Sequence, residues 1–158
     1  MMSESDIQAG LFNVRDYGAV GDDKTDNTAA FSACLKAVIE AGGGRIHVPA
    51  GVYLGRFIIP AIPKSNWIAL EIVGESQPTM VFGTIGSTEL PSHNSIVKCL
   101  ATSGPAVITA EPPSLGPGYF SRVHVVLKDL EVRTGDDPLI DGIDLEWAPQ
   151  CRLENVFV

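Results

Sequence analysis

Only one stretch of this 158-residue chain has the spacing of an amphipathic helix, and everything after it lacks that spacing. Between Asn27 and Ala41, the residues Phe31, Cys34, Leu35 and Val38 recur at i, i+3, i+4 and i+7, with Ala30, Ala37 and Ala41 beside the stripe. Asp26 or Thr25 supplies a side-chain oxygen for the free amides at the helix start, and Gly42-Gly43-Gly44 ends it by permitting a left-handed cap. From Arg45 onward the texture is of short β-type runs, among them RIHV, GVYL, FII, WIALEIVG, SIVKCL, RVHVVLKDLEVR and RLENVFV, bounded by Gly, Pro, Ser and Asn. A lone helix followed by many strands must bury its stripe on an apolar β surface, which predicts an all-β class.

Two late segments share one pattern. Leu127-Lys-Asp-Leu-Glu-Val132 and Leu153-Glu-Asn-Val-Phe-Val158 both read L-x-x-[LV]-x-V at an offset of 26 residues, a period suited to one coil of a solenoid. Glu111 to Gly118, rich in Pro and Gly, reads as a loop projecting between coils. No linker divides the chain, so residues 1–158 are read as one domain: a flexible terminus over 1–11, a segment over 12–55 containing helix 27–41, and stacked coils over 56–158.

Hydrophobic residues make up 45% of the chain, enough for a packed core. Eleven Lys and Arg against 19 Asp and Glu give a net charge of −8, a field that repels nucleic acid and anionic lipid. A polyanionic ligand therefore needs a local basic patch or a bridging cation. No apolar run approaches membrane-spanning length, and MMSESDIQAG has no secretory-leader pattern, so a soluble chain without an export signal is expected. Cys34, Cys99 and Cys151 fit neither CxxC nor Cys/His metal spacing and are read as small buried apolar groups.

The stretch Tyr17 to Phe31, YGAVGDDKTDNTAAF, carries Asp22, Asp23 and Asp26. As a calcium loop starting at Asp22 it fails at Lys24, Asn27 and Ala33, and as a phosphate cradle it lacks GK[ST]. Its carboxylates are read as holding a turn and capping the helix.

This stretch and its neighbours carry a resemblance. D-Y-G-A-x-G-D, T-D-x-T-x-A-F, a helix, G-G-G and V-P-x-G-x-Y follow in order from Asp16 to Tyr53, similar to the N-terminal signature of the pectate-lyase superfamily. The resemblance implies a right-handed, single-stranded parallel β-helix with an amphipathic helix capping its first coil. It also implies a polysaccharide partner and glycosidic cleavage, by hydrolysis or by β-elimination of a uronate polymer. A non-catalytic, tailspike-like glycan-binding module is the alternative. With an uncapped apolar strand at Leu153 to Val158, the chain is expected to be the N-terminal portion of a longer β-helix, or to self-associate through its open C-terminal coil.

Candidate chemistry concentrates between Tyr119 and Glu146. Asp141-Gly-Ile-Asp144 resembles part of the N-T-D-G-I-D segment of polygalacturonases, which makes Asp141 the carried-over carboxylate, although Leu139-Ile140 replace Asn-Thr. If Ile143, Leu145 and Trp147 face inward, Asp144 and Glu146 share an outer strand face, roughly 6.5–7 Å apart, a spacing suited to an acid and a base of an inverting glycosidase. The family's later Asp-Asp, Gly-His-Gly and Arg-x-Lys motifs do not follow. Calcium enters as a candidate cofactor, because lyases of the superfamily use it to neutralise a uronate. For binding, Arg122 and His124 form a basic stripe with Val126 and Lys128, and Tyr119-Phe120 offer exposed rings for sugar stacking. Neither His47, His93 nor His124 has a zinc-spaced partner.

Overall fold

The computed structural model describes residues 10–62, 67–76, 95–98, 104–109, 122–133 and 142–158. Its strands form three parallel ladders, and the chain visits them in rotation. The first ladder stacks β1 (Leu11–Asn13), β3 (Gly44–His47), β6 (Ile68–Val73), the start of β9 (Val123–Arg133) and β11 (Gln150–Phe157). The second stacks β2 (Asp22–Asp26), β4 (Gly51–Leu54), β7 (Ser95–Lys98) and the end of β9. The third stacks β5 (Phe57–Ile59), β8 (Val107–Thr109) and β10 (Ile143–Asp144). Every pairing is parallel.

Stacking places like on like. Phe12, Ile46, Ile72, Leu127 and Leu153 fall in one file along the first ladder. The first four of these are at most 2% exposed, so the core is a column of apolar side chains inside the coils. The 26-residue repeat is a stacking register: Leu153 pairs with Leu127 and Val156 with Leu130. Between those pairs stand Asp129 (φ 50°) and Asn155 (φ 52°), in the left-handed conformation that Asp and Asn tolerate best. Asn155 Nδ2 donates to Asp129 Oδ1 at 2.9 Å, so the bends that turn both strands away from the first ladder are stacked as well.

Helix α1 spans Thr28–Glu40 and packs on β5, β3 and the 3-10 turn Val14–Tyr17. Its stripe is as expected, with Phe31, Cys34, Leu35 and Val38 at most 1% exposed. Phe31 stacks on Phe57 with centroids 3.9 Å apart and lies 6.3 Å from the tilted ring of Tyr53. Burial pushes the Cys34 thiol up to about 12. The helix ends in a Schellman motif: Gly43 N–H donates to Val38 C=O and Gly42 N–H to Ile39 C=O.

The three aspartates of the acidic turn have three separate structural uses. Asp22 Oδ1 accepts from the amides of Lys24 and Thr25, Asp23 pairs with Lys98 at 3.1 Å, and Asp26 Oδ1 accepts from the Thr28 amide at the helix start. Asn27 does something the sequence did not announce. Only 1% exposed, its side chain accepts from Val20 N–H, and its Nδ2 lies 2.8–3.0 Å from the carbonyl oxygens of Val20, Thr25 and Leu54. It ties the turn to the end of β4.

Amide donors hold the carboxyls of Asp22, chiefly Thr25 N–H, and of Asp26, chiefly Thr28 N–H, below the ordinary aspartate value of 3.8. A lowered folded value stabilises at pH above the ordinary one and loses that contribution as pH falls through the folded value. Urea unfolding between about pH 5 and pH 2 should therefore show a fall in stability that is shallower in Asp26→Asn. An identical slope in wild type and variant would contradict the capping role.

Gly51 forms the corner after Pro49-Ala50, with φ of 151°, and an added Cβ would stand 3.2 Å from the backbone of Gly21. Gly51→Ala is expected to cost about 1–3 kcal/mol in chemical denaturation, through strain and displacement of Gly21.

The structure revises one cysteine. Cys34 is buried, but Cys151 is exposed, because among the described residues β11 pairs only with β9 and its inward positions, Cys151 and Leu153, have no described strand beyond them. Cys99 lies outside the described residues.

Candidate functional site

Alternation along the first ladder sends one residue in two outward. β6 presents Ala69, Glu71 and Val73, β9 presents His124, Val126 and Lys128, β3 presents Arg45 and His47, and β11 presents Gln150, Arg152 and Glu154. Register stacks Arg45, Glu71, Val126 and Arg152 in one file and His47, Val73, Lys128 and Glu154 in the next. A groove of about 670 Å³ opens on this face, lined by Leu11, Arg45, Ala69, Glu71, His124 and Val126 among others.

Most charges of the face are matched. Arg45 Nε meets Glu71 Oε2 at 2.6 Å, His47 Nε2 meets Glu75 Oε1 at 2.8 Å, and Glu154 takes both Lys128 at 3.1 Å and Arg152 at 3.0 Å. The expected basic stripe is thus partly neutralised at Lys128. Arg122, just before β9, has no acidic side-chain partner among the described residues. It immediately precedes Val123 as Trp67 immediately precedes Ile68, and Ile68 and Val123 are the first register pair of β6 and β9, with Ile68 N–H donating to Arg122 C=O at 2.9 Å.

Trp67 is the residue sequence reasoning missed on this face. It is 49% exposed. The signal was present in W-I-A-L-E-I-V: with Ile68, Leu70 and Ile72 inward, alternation turns Trp67, Ala69 and Glu71 outward together.

The predicted carboxylates stand elsewhere. Asp144 closes β10, on the third ladder, paired with Ile108 of β8, whereas Arg122 and His124 belong to the first. One chain segment therefore supplies two different faces of the coil. The extended Asp144/Glu146 pair is not formed, because Asp144 Oδ1 accepts from the Glu146 amide at 3.0 Å and closes a turn, leaving Glu146 exposed within it. The strand spacing that suited an acid and a base therefore does not apply to them. Among the described residues no three His, Cys, Asp or Glu converge as a metal site. Asp141 and Tyr119 lie outside the described residues.

A family model described as rhamnogalacturonase A/epimerase, pectate lyase-like, matches residues 11–90, half of the chain. The chain belongs to this pectate-lyase-like family. Among its similar relatives, the mannuronan C5-epimerase AlgE3 of Azotobacter vinelandii is 46% identical over 47 residues, which is 30% of this chain and 3% of that protein. A polygalacturonase of Prunus persica is 38% identical over 78 residues, 48% of this chain and 20% of that protein. The chain thus spans a small part of these pectate-lyase-like relatives. The crystal structure of a hyperthermoactive exopolygalacturonase from Thermotoga maritima is 20% identical with a TM-score of 0.47, over 80% of this chain and 25% of that one.

Proposed function

We propose that this chain forms N-terminal coils of a right-handed pectate-lyase-like β-helix, capped by α1 and binding a uronate-type polysaccharide, with the outer face of the first ladder as its glycan-contact surface. The observation that carries this reading is the juxtaposition of the exposed Trp67 with Arg122, beside the groove holding His124 and Arg45. An indole offers a flat face to sugar C–H groups, and a guanidinium offers paired donors to a carboxylate. Relatives whose names carry mannuronan and polygalacturonate chemistry support an acidic polymer.

Calorimetric titration with oligogalacturonate and oligomannuronate tests it. Trp67→Ala and Arg122→Gln are each expected to weaken binding about tenfold or more, with folding unchanged. Absence of binding by wild type, or variants that bind as wild type does, would refute the reading.

A non-catalytic glycan-binding module is favoured for these coils by the turn that engages Asp144, and by its separation from the Trp67 face. The catalytic reading assigns cleavage to Asp141, Asp144 and Glu146. Reducing-end and unsaturated-uronate assays distinguish the two: activity lost in Asp141→Asn or Asp144→Asn supports cleavage by these carboxylates, whereas absent activity, or activity that both variants retain, supports the module.

A further inference from the structure

Resting on the glycan-binding reading of the first-ladder face, we propose that Arg45 is the carboxylate-recognising cation of the groove. Glu71 would set its specificity, acting as an internal counter-ion that an acidic sugar must displace.

Arg45 and Glu71 are direct register partners on β3 and β6, and both line the groove. Of the ion pairs on this face, theirs is the one whose two members both belong to the groove lining. The contact uses Nε, one donor of a planar fork that presents five N–H groups, and the Arg45 side chain remains 56% exposed against 29% for Glu71. Guanidinium is thus the more accessible partner, and an exposed pair is weakly held. Leu11, Ala69 and Val126 give the groove apolar surface for sugar C–H groups, while His124 adds a ring nitrogen from β9. The volume of about 670 Å³ lies in the range that encloses small ligands.

Charge decides which sugar gains most. With Arg45 and Glu71 paired, the two cancel, and the molecule as a whole carries −8. A neutral sugar finds the pair closed and gains hydrogen bonds alone. A carboxylate exchanges for the Glu71 carboxylate on the same guanidinium, so its recognition depends on how firmly Glu71 holds that position.

The test is titration of the full chain with trigalacturonate and with the neutral galactose trimer, using wild type, Glu71→Gln, Arg45→Gln, the double variant, and Glu75→Gln. The last makes the same change in net charge outside the groove lining. Glu71→Gln is expected to tighten trigalacturonate about fivefold or more and Arg45→Gln to weaken it about tenfold. In the Arg45→Gln background the Glu71 change should have no effect, as a coupled pair requires. Glu75→Gln should stay within about twofold, since its charge is more distant and screened. The proposal is overturned if Glu71→Gln does no more than Glu75→Gln, if its effect survives without Arg45, or if the neutral trimer binds more tightly. Should wild type bind neither these trimers nor longer acidic oligomers, the glycan-binding reading itself fails. Should binding weaken in Trp67→Ala but ignore Glu71→Gln, only the role given to Glu71 and Arg45 fails.

Discussion

Phe31→Ala is expected to lower the unfolding free energy by about 3–5 kcal/mol, the usual cost of removing a buried phenylalanine. Phe31 is fully buried and stacks on Phe57 of β5, with Tyr53 of β4 tilted against it, so its ring joins α1 to two ladders at once. Loss of the ring leaves a cavity where the helix meets the coil, and the amides of Thr28–Glu40 should lose hydrogen-exchange protection before those of the first ladder. Phe31→Leu keeps most of the apolar volume and should recover much of the stability in the same urea titration. A Phe31→Ala variant as stable as wild type would show that α1 is not held to the coils through this contact.

Asn27→Ala should cost about 2–4 kcal/mol, through a different mechanism. The side chain is buried, and it satisfies the Val20 amide and reaches the carbonyls of Val20, Thr25 and Leu54, so alanine removes every partner together. Asn27→Asp keeps the acceptor for Val20 N–H but replaces the donor with a carboxylate facing three carbonyl oxygens, and it should be at least as destabilising as alanine. Equal stability of Asn27→Ala and wild type would mean that the turn and β4 are joined by other contacts.

The helix was legible because periodicity and cap chemistry are local: the Phe31, Cys34, Leu35 and Val38 stripe and the Gly42-Gly43 stop needed nothing from the rest of the chain. The 26-residue pattern was legible because stacking puts Leu153 over Leu127 and Val156 over Leu130. Asn27 was not, since its partner Leu54 reaches it only once the first coil has closed. Nor was the division of the candidate site. Counting alternation along RVHVVLKDLEVR does not reveal that the strand bends at Asp129 from one ladder to the next, which carries the chain from the Arg122 face toward the ladder of Asp144. The Asp144/Glu146 pair failed for a related reason: a side chain that accepts its own neighbour's amide ends the strand on which the spacing argument stood.

Glycan is expected to meet the first-ladder face, and the chain's two tryptophans divide the alternatives. Trp67 lies on that face beside Arg122, and Trp147 lies in the turn after β10, beside Glu146, with its amide donating to Thr109 Oγ1. Fluorescence titration with oligogalacturonate, in Trp147→Phe and Trp67→Phe as single-tryptophan reporters, separates the two faces. A saturable change in emission from Trp67, with none from Trp147, is the predicted result. A response from Trp147 alone would place the ligand at the third ladder and contradict the account.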